Sequence, residues 1–140
     1  MHVGIRFGTV RDLETAKIWD PTVREHVLSW KLQNEEIIVA ELEDSIVGYL
    51  RLDYMWSKIP YIGLLIVKSE LRSQGIGGQL LAFAEQVLKE QKVERLYSSS
   101  VVNETKAQAW HRRMGFRESG FINGINGGDL GEVFFVKDLV

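Results

Sequence analysis

The chain contains no cysteine at all. That absence excludes structural disulfides, thiolate metal sites and any cysteine-bound covalent intermediate. Long apolar runs are missing too: no stretch approaches the length of a membrane span, and Met1-His2-Val3-Gly4-Ile5-Arg6 lacks the hydrophobic core of a signal peptide. A cytoplasmic protein without a membrane partner is the expectation. Charge of one sign is not in excess, because 17 basic residues face 19 acidic ones for a formal charge of -2, and no basic block could track a phosphate backbone. Nucleic acid is therefore not an expected partner. The three histidines, His2, His26 and His111, lack ligand-like spacing, so no metal is expected either. There are no repeats and no linkers. A length of 140 residues, 45% of them hydrophobic, fits one domain over residues 1–140 with a proper core.

What is present alternates between strand and helix periodicity. Ile5 to Thr9 reads as a strand, followed by Asp12 as a cap for a helix with Leu13, Ala16 and Trp19 on one face. Asp20-Pro21 interrupts it, and Pro21 suits the first turn of a second helix that presents Val23, Val27 and Trp30 and ends before Gln33-Asn34. Ile37 to Glu43 and Ile46 to Trp56 read as a hairpin around Asp44-Ser45. Pro60 then opens Tyr61 to Val67, a run so apolar that it should be a central strand buried on both faces. Ile76, Leu80, Phe83, Ala84, Val87 and Leu88 mark a helix to about Gln91. Beyond it lie a strand from Arg95 to Val101, a helix from Glu104 to Met114, and strands from Phe116 to Ile122 and Glu132 to Val136 joined by Gly124 to Gly131. The pattern is mixed α/β, with a βαβ unit that demands parallel neighbours and antiparallel hairpins at both ends.

The junction of the apolar strand with the long helix carries the most information. In Arg72-Ser73-Gln74-Gly75-Ile76-Gly77-Gly78-Gln79-Leu80, glycines remove the Cβ atoms that would hold a ligand off the backbone, and the first-turn N–H groups converge on one spot. Such a layout binds phosphate. A dinucleotide loop would need glycine at Leu80, and a mononucleotide loop would need Gly-Lys-Ser/Thr; neither is met.

What remains, Arg72-x-x-Gly75-x-Gly77, resembles the acyl-CoA pyrophosphate signature of the GNAT superfamily of N-acyltransferases. Downstream, Asn103, Ala107, His111, Gly115 and Phe116 resemble its second motif at nearly the family spacing. Two short motifs in the right order are far more specific than either alone. The resemblance covers nearly the whole chain and implies the GNAT-like fold, α/β with a mixed sheet of about seven strands, a central βαβ unit and about four helices. It implies acetyl-CoA as acyl donor, with its pyrophosphate on Arg72, Gln74, Gly75, Ile76, Gly77 and Gly78 and its pantetheine arm along Leu65, Ile66 and Val67. Amides of Ile66 or Val67 would polarise the thioester carbonyl. Asn103 would touch pantetheine, although it stands four residues before Ala107 rather than three; capping a helix that starts near Glu104 is its other reading. His111 occupies the place of the family's usual Tyr, which protonates the departing thiolate. A histidine could do that job, or simply pack the helix on the sheet.

The acceptor side is less legible. A primary amine must shed a proton to attack, and the central-strand carboxylate of many relatives is absent from Tyr61 to Val67. Glu41, Asp53 and Glu132, each on an expected strand, are the candidate bases, and Tyr54, Trp56 and Tyr61 are candidates to line an acceptor pocket. The leading expectation is an N-acetyltransferase moving acetyl directly from acetyl-CoA to an amine of a small molecule or peptide, with a homodimer left open. The alternatives are a catalytically weak acyl-CoA-binding module and an unrelated nucleotide-binding domain that would be stabilised by ATP or NAD but not by CoA.

Overall fold

Among the described residues, seven strands and four α-helices form in the order the periodicity implies. The computed structural model describes residues 2–140. They are β1 (Gly4–Phe7), α1 (Leu13–Trp19), α2 (Glu25–Gln33), β2 (Ile37–Leu42), β3 (Ser45–Met55), β4 (Ile59–Val67), α3 (Ile76–Glu90), β5 (Arg95–Val101), α4 (Thr105–Arg113), β6 (Arg117–Ile122) and β7 (Glu132–Asp138). The strands join into one sheet of order β1-β2-β3-β4-β5-β7-β6. β4 and β5 pair in parallel, with Tyr61 opposite Tyr97, as a helical crossover requires; the pairs β1–β2, β2–β3, β5–β7 and β6–β7 are antiparallel. By compactness the chain groups into two units, Met1–Asp53 with Gly63–Val87, and Tyr54–Ile62 with Leu88–Val140.

In the first unit the sheet is covered on both faces. Ile37, Val39 and Tyr49 point to one side and pack with Ala16, Leu28 and Leu32 of α1 and α2. Ala40 and Gly48 point to the other and meet Ile76 and Leu80 of α3, so close that a side chain on Gly48 would stand 3.0 Å from Leu80. Of the expected apolar face of α3, Ile76, Leu80, Ala84 and Leu88 are buried and Phe83 and Val87 half-buried, and Leu81, outside that face, is buried as well.

Four local expectations need correction. The hairpin turn is Glu43-Asp44, not Asp44-Ser45: both turn residues have positive φ, 50° and 65°, in a two-residue turn whose twist suits the strands. Helix α2 starts at Glu25, leaving Pro21 in the link, because the Asp20 carboxylate beside it is tied into the core by Tyr49 and Arg51. Its buried residues are Leu28, Lys31 and Leu32, whereas Trp30 is exposed. Lys31 can be buried because its ammonium donates to the Leu52 carbonyl at 2.6 Å and pairs with Glu36 at 2.8 Å. Finally, β4 is buried only at Pro60 and Ile62 and is half-buried elsewhere. Near Gly63 its side-chain alternation breaks: the face of Gly63 meets Arg51 and Asp53, and the adjacent Leu64 and Ile66 pack against the same Tyr49 cluster.

In the second unit, β5 alternates between two environments. Leu96, Ser98 and Ser100 are buried, while Tyr97 and Ser99 occupy the other, half-buried face. Phe135 on β7 shares the buried face with Ser98, and the ring of His111 on α4 stacks on it at 4.6 Å with an interplanar angle of 3°.

Candidate active site

The glycine loop is built as an anion cradle. After a 3-10 turn at Ser69–Leu71, the chain reverses through two left-handed residues, Ser73 at φ 66° and Gly75 at φ 87°, and enters α3. The Gln79 amide donates to the Gly75 carbonyl at 3.0 Å, opening the helical bonding. The amides of Ile76, Gly77 and Gly78 thus fall in the turn that has no acceptor inside the helix, where the dipole also favours an anion. Space is left for one: a Cβ on Gly75 would meet nothing within 4 Å. The Ile76 side chain is buried, so only its amide is offered. Arg72 is exposed and folds back to donate from Nε to the Val67 carbonyl at 3.2 Å. Gln74 is exposed in the loop, and Leu65, Ile66 and Val67 form the half-buried end of β4.

A second constellation lies in the other unit. Ser99 Oγ donates to Glu132 Oε2 at 2.5 Å, so the Tyr61 hydroxyl, 2.5 Å from the same Oγ, is the donor to it. Asn126, held in the Gly124–Gly131 turn, donates from Nδ2 to Glu132 Oε1 at 2.9 Å. Tyr61, Ser99 and Glu132 are all half-buried. The other two candidate bases are engaged differently. Glu41 pairs with Arg6 at 3.3 Å, and Asp53 pairs with both Arg51 and Lys31. Of the proposed pocket aromatics, Trp56 is 78% exposed on the β3–β4 turn, while Tyr54 and Tyr61 are half-buried.

His111 is 5% exposed, and both ring nitrogens are used. Nδ1 donates to the Ala107 carbonyl at 2.8 Å, leaving Nε2 to accept from the Ser98 hydroxyl at 2.7 Å. Burial pushes its pKa down, against the pull of the Ala107 carbonyl and the Glu132 charge. Asn103 is exposed in the turn after β5 and does not cap α4: the residue at that position is Glu104, and no side chain caps it.

A family model described as "Acetyltransferase (GNAT) family" matches residues 9–116. The chain belongs to the GNAT acetyltransferase family. No curated protein matches it at a significant level. Among solved structures, an N-acetyltransferase of Staphylococcus aureus Mu50 superposes with a TM-score of 0.84 at 17% identity, covering 99% of each chain. A ribosomal-protein-alanine N-acetyltransferase of Brucella melitensis gives 0.79 at 25% identity, over 96% of this chain and 99% of that one. A protein of Bacillus anthracis str. Ames assigned as a streptothricin acetyltransferase, solved with acetyl coenzyme A, gives 0.67 at 24% identity. This GNAT chain spans 61% of that protein's length, and the match covers 73% of its own. The fold class expected from the sequence is the one observed. Sequence reasoning singled out Tyr61 and Glu132 separately but missed Ser99 and Asn126, which join and brace them. Ser99 sits in the uniform run Ser98-Ser99-Ser100, where only the alternation of β5 could have set it apart.

Proposed function

We propose that this GNAT protein transfers acetyl directly from acetyl-CoA to a primary amine of a small molecule or peptide, as a single domain over residues 1–140. The observation that carries the reading is the open cradle at Gly75 on the N-terminus of α3, which suits a pyrophosphate. The amides of Gly75, Ile76, Gly77 and Gly78 hold it, with Arg72 and Gln74 beside them, and Asn103 serves pantetheine. The arm runs along Leu65, Ile66 and Val67, where an amide of Ile66 or Val67 polarises the thioester carbonyl. The sealed, neutral His111 supports a packing role rather than that of the acid. Help at the sulfur is dispensable, since a thiol of pKa about 8.5 leaves as thiolate readily.

Purified protein with acetyl-CoA should release thiol faster when amines are added, and initial rates should fit a sequential scheme with both substrates bound. Parallel double-reciprocal lines or an isolable acetyl-enzyme would contradict direct transfer. The lack of a carboxylate on β4 together with the sealed His111 favours the second reading, an acyl-CoA-binding module; tight CoA binding without amine-stimulated release would establish it.

A further inference from the structure

In the second unit the hydroxyls of Tyr61 and Ser99 both turn their protons toward one carboxylate. Antiparallel pairing sets Ser99 opposite Phe134 and Val101 opposite Glu132, so these four half-buried side chains share a face of the sheet. Ser98 and Phe135, on the other face, are buried and packed against the His111 ring. Tyr61 joins the first face. Its hydroxyl donates to Ser99 Oγ, which donates to Glu132 Oε2, and its ring stands 5.9 Å from that of Phe134. Glu132 Oε1 takes the Asn126 amide.

With those protons committed, what the group still offers is lone pairs. A carboxylate has about four acceptor sites, of which Ser99 and Asn126 fill one on each oxygen; Ser99 Oγ, accepting once from Tyr61, keeps another. The charge is uncompensated as well. Asp12, Glu36, Glu41 and Asp53, which are also half-buried, are each paired with arginine or lysine. Glu132 has no ion-pair partner among the described residues, and Arg95 and Arg117 of the same unit both pair with Asp138 at the opposite end of β7. In register Glu132 lies between Val101 on β5 and Ile122 on β6, both apolar. Low polarity around an unpaired charge strengthens its pull on a counter-ion.

We propose that Glu132, Ser99, Tyr61 and Phe134 form a binding site for a primary ammonium group carried on a short alkyl chain. An ammonium head has three donors and no acceptor, which matches a polar group that presents acceptors alone. An anion would meet a like charge. The Tyr61 and Phe134 rings add apolar surface for the alkyl stem and a π-face for the cation. The site holds an amine and is not the place of attack, because a protonated nitrogen has no lone pair to give a thioester. It therefore stands independently of the acetyl-transfer reading.

n-Butylammonium titrated into the full chain without acetyl-CoA, and followed by amide NMR, should give saturable shifts centred on Ser99, Val101 and Glu132 to Phe134. Glu132→Gln, which keeps the size but removes the charge, should weaken binding about 10-fold or more. Phe134→Leu should weaken it about 2- to 5-fold. Tetramethylammonium, a cation without N–H groups, should bind the unaltered protein about 10-fold more weakly than n-butylammonium, a comparison that needs no variant to fold. Shifts that grow without saturating, shifts scattered over the exposed carboxylates, equal affinity for the two cations, or a folded Glu132→Gln protein that binds as tightly as the unaltered one would each overturn the site.

Discussion

Ser98 Oγ lies 2.7 Å from His111 Nε2 and gives it a hydrogen bond inside the second unit, where Ser98 and His111 are both buried. The other ring nitrogen is spent on the Ala107 carbonyl, and the ring is stacked on Phe135. This is how a neutral imidazole is used to fasten a helix to a sheet. Both ring nitrogens are occupied, and burial lowers the pKa of the ring, so it is poorly placed to hold a proton for donation.

His111→Phe should therefore keep CoA binding and change kcat by less than about 10-fold, below the usual range of general-acid effects. Stability should suffer more. Phe keeps the stack on Phe135 but strands the buried Ser98 hydroxyl, at a cost of about 1–3 kcal/mol. Pairing the change with Ser98→Ala should recover part of that loss. The pH dependence has a definite sign. In the unfolded chain the imidazole titrates near pH ~6.5, while in the fold burial lowers its pKa. As pH drops below about 6.5 the unfolded chain takes a proton that the folded one refuses, so the histidine's stabilisation is full above that pH and fades below it. The Tm gap between wild type and His111→Phe should narrow from pH ~8 to pH ~5. A gap that widens toward acid would show that the folded ring is held protonated.

How much of this was legible in the sequence depends on whether the signal is local. The strand at Arg95 to Val101 and the start of α3 were, because alternation and glycines act within a few residues. The inner face of α2 was not. Lys31 reads as polar, yet its stem is buried and its ammonium satisfied by Leu52 and Glu36, while Trp30, the larger apolar residue, faces outward. No periodicity places a lysine in a core. The Tyr61–Ser99–Glu132 hydrogen-bond chain was illegible for a different reason: Tyr61 and Ser99 are 38 positions apart and Ser99 and Glu132 are 33 apart, joined only by strand order. Glu132 on its strand looked no different from Glu41 and Asp53 until their partners were known.

The Asp20 carboxylate gives a sharper stability prediction. It is 2% exposed and accepts from the Tyr49 hydroxyl at 2.9 Å and from Arg51 Nε at 2.7 Å. Burial, with the Asp20 charge next, pushes the Tyr49 pKa far up, so the phenol stays a donor at any ordinary pH. Asp20→Ala removes the acceptor from two buried donors and should cost about 3–5 kcal/mol, whereas Asp20→Asn, which keeps an acceptor oxygen, should cost roughly 1–2. Thermal melts separate the two, at about 3 °C per kcal/mol for a chain of this size. Equal losses would mean that charge rather than hydrogen bonding holds the link between α1 and α2.

The last prediction concerns Gly75, where backbone and ligand requirements can be pulled apart. Its φ of 87° is one that side-chain-bearing residues rarely adopt, and a Cβ there would touch nothing within 4 Å. Gly75→Ala therefore pays a conformational cost without a clash, about 1–2 kcal/mol, and its melting temperature should drop by several degrees. Gly75→Asn should recover much of that loss, because asparagine tolerates the left-handed region. The cradle responds to a different property, the open space beside the first-turn amides, which any side chain begins to fill. CoA affinity by calorimetry should accordingly fall about 10-fold or more in both variants, most in Gly75→Asn, the more stable of the two. Gly77→Val, which puts a branched side chain into the first turn itself, should abolish CoA binding in a protein that still folds. Folded Gly75→Asn and Gly77→Val proteins that bind CoA as tightly as wild type would remove the pyrophosphate from this loop.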